Sequence, residues 1–179
     1  MITEEDKVLL QKAASFDESA LAEIYDRYQN PLYRYAMRLL GNQQLAEDCI
    51  SDTFLRFLRS LRNGSVPGES LQAYLYRIAH NWIVDHYRKD FVTAVNQESD
   101  FPDGQENLEN RVFSKLEGDK IRAAIFSLTP LQQQVIMLKY FEGWQNEEIA
   151  IAIEKNVGAV KALAHRSLRV LRKMLEKKE

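Results

Sequence analysis

Residues 71–90, LQAYLYRIAHNWIVDHYRKD, interleave rings with cations and an amide. Tyr74, Tyr76, Trp82 and Tyr87 alternate with Arg77, His80, Asn81, His86, Arg88 and Lys89. This mixture suits an unstacked nucleic-acid base: a ring face stacks, an Asn amide reads a base edge, and Arg or Lys holds the phosphate backbone. Arg77, Asn81 and Arg88 share one face by helical steps, whereas Ile78 and Trp82 are expected to face a core. Packing is the competing account of the rings, and it is preferred for Tyr74 and Trp82. The segment just before, residues 63–70, contains Gly64, Pro67 and Gly68 and is placed to close over an extruded base.

A second group lies near the C-terminus. Lys161, His165, Arg166 and Arg169 recur at steps of three and four, so they occupy one broad helical face. Phosphate neutralisation by such a face releases counterions and drives DNA binding. Before it, Ile149, Ala150, Ile153, Val157 and Val160 are spaced to lock a short helix against a longer one, the arrangement of a helix-turn-helix. An ordinary amphipathic helix with a solvated basic face remains the alternative. His165 has no Cys, His or carboxylate at ligand spacing, so a metal role is not expected.

The residues that could do covalent chemistry are sparse. Glu47 and Asp48 are adjacent, so on a helix they diverge, and no base or nucleophile accompanies them. No catalytic residue, metal or cofactor is expected. The same stretch carries Asp48, Asp52, Leu55, Arg56 and Arg59, in which a large apolar side chain stands between charges of both signs. That pattern marks a protein-docking patch or a single exposed leucine of no consequence. Cys49, the one cysteine, allows neither an internal disulfide nor a multi-cysteine metal site, which fits a reducing, cytoplasmic setting.

The elements that must position these groups read as helices. Asp17 or Ser19 caps a helix over 17–40, which Pro31 is expected to kink or divide. Gly41-Asn42 stops it and caps the next, with Ala46, Ile50, Phe54 (or Thr53), Phe57 and Leu61 as its stripe. Ser70 caps the helix of residues 71–90. Thr129-Pro130 starts another, which Gly143 ends, and Asn146 caps the short helix that follows. Gly and Pro together number only 11 of 179 residues, too few for a many-stranded sheet protein. No run approaches the ~20 apolar residues of a membrane span, and the acidic start does not read as a signal peptide.

The formal charge is −2, yet it is segregated: −5 over 1–26, +4 over 27–89, −6 over 90–119, −1 over 120–154 and +6 over 155–179. Two basic units are thus separated by an acidic, aperiodic stretch interrupted by Pro102 and Gly104. The expected fold is all-α, with two small helical domains (1–90 and 112–179) joined by an acidic flexible linker (91–111), and the helix-turn-helix lies in the second.

In their order, these parts resemble a bacterial RNA polymerase sigma factor. LAEIYDRYQNPLYRYAMRLLGNQQLAEDCISDTFLRFLRSL is similar to the start of the family's second region. LQAYLYRIAHNWIVDHYRKD resembles the stretch that follows in the extracytoplasmic-function (ECF) group. SLTPLQQQVIMLKYFEGWQNEEIAIAI and VGAVKALAHRSLRVLRKML resemble that group's fourth region. The match spans about residues 20–90 and 112–175. It implies a non-enzymatic initiation subunit with core RNA polymerase and promoter DNA as partners, an anti-sigma factor as a further partner, and no membrane insertion. By position, Asp48, Asp52, Leu55, Arg56 and Arg59 would meet the polymerase. Arg77, His80 and Asn81, with loop 63–70, would capture a flipped base of the −10 element, and Arg88 and Lys89 would grip phosphates. Lys161, His165, Arg166 and Arg169 would engage the −35 duplex.

The chain departs from the family at Ala159-Val160-Lys161-Ala162-Leu163-Ala164, where a Thr hydroxyl and an Arg are often found, so −35 preference does not carry over. Trp144 also stands where a smaller residue is usual. A free-standing helix-turn-helix regulator with a ligand- or partner-binding domain is the rival reading, and a helical scaffold without DNA is a third.

Overall fold

A computed structural model describes residues 4–65, 70–96 and 120–176. Among the described residues the elements are helical. The acidic start, read above only for its charge, forms α1 (Glu4–Ala14), which buries Leu9, Leu10 and Ala13 against α2. Asp17 caps α2 (Glu18–Leu40) by accepting from the Ala20 N–H at 2.9 Å. The helix runs undivided through Pro31. A mid-helix proline costs ~3 kcal/mol, but each large apolar side chain buried stabilises by about 1.5–3 kcal/mol. Leu32, Tyr35 and Leu39, all beyond the proline, are fully buried, so packing outweighs the lost hydrogen bond.

Gly41 ends α2 with φ +63°, the left-handed conformation that suits glycine, and its N–H donates to the Met37 carbonyl at 2.9 Å. Asn42 then caps α3 (Gln43–Arg62) through the Leu45 N–H at 3.0 Å. Ser70 opens α4 (Leu71–Asn96), its hydroxyl accepting from the Ala73 N–H at 3.2 Å. Helices α2, α3 and α4 pack together around Tyr35, Leu39, Cys49, Phe57, Leu75 and Ile83. Burial pushes the Cys49 thiol up to about 12, so it is an inert core residue. Helix α4 continues to Asn96, past the domain boundary expected at residue 90. The rest of the expected linker, 97–111, lies outside the described residues, as do Pro67 and Gly68.

The second unit comprises helical residues 120–126 (α5), α6 (Pro130–Ile136), α7 (Asn146–Ala152) and α8 (Val157–Glu176). Thr129 and Gln132 form a reciprocal capping box at the start of α6, with Pro130 in the first turn. Helix α6 does not run regularly to Gly143. It passes into a π turn over Met137–Phe141, in which the Glu142 N–H reaches back to the Met137 carbonyl at 3.1 Å. The extra residue per turn shifts the faces: Met137 and Leu138 stay buried, Tyr140 and Phe141 are exposed, and Glu142 and Trp144 meet α4 of the first unit.

Candidate nucleic-acid interface

The helix-turn-helix is built as its spacing requires. Gln145 rather than Asn146 caps α7. The Gln145 N–H donates to the Glu148 carboxylate at 2.8 Å, while Asn146 accepts from the Lys139 ammonium at 2.6 Å. Ile149, Ala150, Ile153, Val160 and Ala164 are buried between α7 and α8, and Val157 packs at their edge. Asn156 holds the first turn of α8 by accepting from the Ala159 N–H at 2.8 Å. With its inner face so engaged, α8 presents Lys161, His165, Arg166 and Arg169 to solvent. Ala162 is exposed beside them and Leu163 is half-buried, so two positions of this face offer no polar group. Glu154, in the turn before α8, adopts φ +54°, a strained backbone for a residue with a Cβ.

Helix α4 separates its chemistry-bearing residues onto different faces. Asn81 and Arg88 are exposed. Arg77, one turn before Asn81, lies over the Tyr74 ring at 5.6 Å and forms an ion pair with Glu154. Tyr74 packs edge-on against Phe57 at 6.4 Å, as core packing predicts. Trp82 is half-buried instead of fully internal. Its indole stacks on the His86 ring with centroids 5.1 Å apart and planes within 3°. Ile78 is likewise half-buried. The side chain of Lys89 lies outside the described residues.

His80 departs from the expected role. It is 1% exposed and therefore cannot touch a base in this arrangement. The ring bridges Tyr35 and Pro130, with Nδ1 2.8 Å from the Tyr35 hydroxyl and Nε2 2.9 Å from the Pro130 carbonyl. A carbonyl only accepts, so Nε2 carries the proton, and the Tyr35 hydroxyl donates to Nδ1. Burial without a carboxylate partner lowers the imidazole pKa to about 4, so the ring is neutral at pH 7. Position along the chain groups His80 with its sequence neighbours Arg77 and Asn81. Its partners lie 45 and 50 residues away, where local spacing gives no signal.

On α3, Asp48, Leu55, Arg56 and Arg59 are exposed and Asp52 is half-buried. Leu55 remains 44% exposed, with Asp52 and Arg56 joined by an ion pair at 2.5 Å beside it. The apolar side chain is therefore presented in a fixed charged frame. No group of three or more His, Cys, Asp or Glu among the described residues could hold a metal, and no described helix is long and apolar enough to cross a membrane.

The pattern of sigma-70 region 2 matches residues 24–90, and that of sigma-70 region 4 matches residues 118–171. The ECF RNA polymerase sigma factor BldN of Streptomyces coelicolor is 30% identical over 170 residues, covering 93% of this chain and 64% of BldN. The ECF sigma factor SigL of Mycobacterium tuberculosis is 29% identical over 168 residues, covering 92% and 93%. The chain thus spans just under two thirds of the length of BldN and nearly all of SigL. Among solved structures, CnrH in complex with the cytosolic domain of CnrY superposes with a TM-score of 0.70 over 97% of this chain and 99% of that one, at 23% identity, a likeness of fold. With two sigma-70 regions in order along one all-helical chain, and relatives aligned over more than nine-tenths of it, the chain belongs to the sigma-70 family, as a sigma factor of the ECF group.

Proposed function

We propose how this sigma factor, which directs promoter-specific transcription initiation, divides that work between its surfaces. The observation that carries the reading is α8, whose inner face is locked into a helix-turn-helix while Lys161, His165, Arg166 and Arg169 all stand in solvent. These four engage the −35 element as duplex DNA, mostly through phosphates, because Ala162 and Leu163 offer no hydrogen bond to a base edge. Arg77 and Asn81 contact the melted −10 element, and Arg88 and Lys89 hold its backbone. Asp48, Asp52, Leu55, Arg56 and Arg59 dock on core RNA polymerase, with Leu55 as the apolar anchor inside a charged rim. The two units are residues 1–96, the first extending to the end of α4 instead of to residue 90, and 112–179. The chain has no enzymatic activity of its own, acts in the cytoplasm, and is controlled by an anti-sigma factor, a reading supported by the likeness of fold to the sigma factor RpoE of Bartonella quintana, which is solved in complex with the anti-sigma factor NepR.

The experiment is run-off transcription from genomic fragments with purified core polymerase, with and without the chain. Discrete transcripts that require both support the proposal. A polymerase-independent footprint on a two-fold symmetric site, with no chain-dependent transcript, overturns it in favour of a free-standing helix-turn-helix regulator.

A further inference from the structure

Of the polar side chains that α8 presents to solvent, His165 stands apart in position and in chemistry. At ~3.6 residues per turn, Gly158, Ala162, His165 and Arg169 fall within about 60° of one another. This strip lies opposite Val160, Ala164 and Ser167, the buried seam that holds α8 in its unit. Lys161 and Arg166 are exposed on either side of it. In a helix-turn-helix the first turns of the second helix enter the major groove, and the phosphates pass along its flanks. Position around the helix therefore separates the group that meets base edges from the groups that meet the backbone.

Within the strip, the first two positions carry almost no side chain. Gly158 and Ala162 are exposed and offer no side-chain hydrogen bond, so nothing bulky holds the helix away from the floor of the groove. His165 follows, roughly 10 Å along the axis from Gly158 at ~1.5 Å per residue. Arg169 lies a further ~6 Å on, past the turns that enter the groove. On the flanks, the Arg166 Nε donates to the Ala162 carbonyl at 3.3 Å, which turns its guanidinium back along the helix. Lys161 is a flexible point charge suited to phosphate. Among the described residues, neither ring nitrogen of His165 is engaged.

The imidazole also decides which base it suits. A neutral ring carries one N–H, and its acceptor nitrogen lies on another edge, so it meets a base as a single donor. Guanine is the base whose groove edge carries two adjacent acceptors, N7 and O6. Adenine sets an amino donor beside its N7, cytosine presents a donor, and thymine sets a methyl group beside its O4. We propose that His165 is the base-reading residue of α8, its N–H donating to N7 of one guanine of the −35 duplex while Lys161, Arg166 and Arg169 hold phosphates. This inference rests on the promoter-reading role given to α8 above and adds which side chain carries the sequence information.

The test is competition binding by the chain assembled on core polymerase, with a promoter fragment that gives a discrete run-off transcript. Each guanine of its −35 segment is replaced in turn by 7-deazaguanine, in which C–H takes the place of N7 and base pairing is kept. One replacement is expected to weaken binding about 5-fold, the size of a single hydrogen bond. His165→Phe keeps a ring and removes the donor; it is expected to lose the same factor on the unmodified fragment and to be indifferent to the replacement. His165→Gln, whose amide restores an N–H, is expected to regain sensitivity at the same guanine, which a merely structural role for the side chain would not produce. Promoter binding with no sensitive guanine, or a sensitivity that survives in His165→Phe, overturns the assignment of His165 alone. No chain-dependent transcript on any fragment overturns the promoter-reading role and His165 with it.

Discussion

Replacing His80 by Gln is expected to remove most of the chain's loss of stability between pH 7 and pH 5. The ring is 1% exposed, with Nδ1 accepting from Tyr35 and Nε2 donating to Pro130, so the neutral form is fully used and a second proton would leave a buried charge with no carboxylate beside it. Burial lowers its pKa from 6.5 to about 4. The unfolded chain therefore binds the proton at higher pH than the folded chain does. Stability is complete above pH 6.5 and is lost progressively as pH falls towards 4. The difference between those two values predicts a loss of about 2 kcal/mol on going from pH 7 to pH 5, and about 3 kcal/mol by pH 4. Urea unfolding followed by tryptophan fluorescence at pH 7, 6 and 5 measures this, since Trp82 and Trp144 report on one unit each. The wild type should lose about 2 kcal/mol across the range and His80→Gln less than ~0.5 kcal/mol. His80→Gln should be less stable at pH 7, since it disturbs two buried hydrogen bonds. Equal pH slopes for the two proteins would refute the assignment of a buried neutral imidazole bridging the units.

Four further outcomes are expected. Leu55→Asp should abolish co-elution with core RNA polymerase while changing stability by no more than ~0.5 kcal/mol, because the side chain is 44% exposed; normal co-elution would remove the docking assignment. Asn81→Ala should leave core binding intact but eliminate permanganate reactivity of −10 thymines, and wild-type reactivity would count against base capture. Lys161→Ala should weaken −35 binding by the holoenzyme similarly across sequences and reduce the log–log salt slope by about 1; an unchanged slope would show that Lys161 touches no phosphate. Thr129→Ala should cost about 1 kcal/mol in urea unfolding by breaking the capping box at α6, and no change would mean that the box is not stabilising.

Local hydrogen bonding explains which parts of the fold were legible in the residues. Asp17, Asn42, Ser70 and Thr129-Pro130 mark helix starts because a short side-chain acceptor meets an N–H three residues on, wherever the helix then packs. The start of α7 moved by one residue because two nearby side chains compete for it: Glu148 reaches the Gln145 N–H, and Lys139 claims Asn146. Helix α1 was within reach, since Leu9, Leu10 and Ala13 stand at helical spacing, but its acidic charge obscured the apolar stripe. The exposed cations of α8 and the exposed Leu55 and Asn81 followed from helical faces alone. The rings of α4 did not, because helical spacing shows which residues share a face and leaves open what covers it.

By itself, then, the amino-acid sequence determined an all-helical chain, the spacing of its helix-turn-helix and the separation of charge into two basic units. Each of these depends on side chains within a few residues of one another, so periodicity and capping specify them. Only the tertiary structure decided that His80 lies between Tyr35 and Pro130, that Arg77 is held by Glu154, and that Glu142 and Trp144 close on Tyr76. Those pairs are 45 to 77 residues apart, and the last two depend on a π turn that shifts the helical face by one residue. The complementarity of two distant surfaces is a property of the packed pair, which neither segment carries alone.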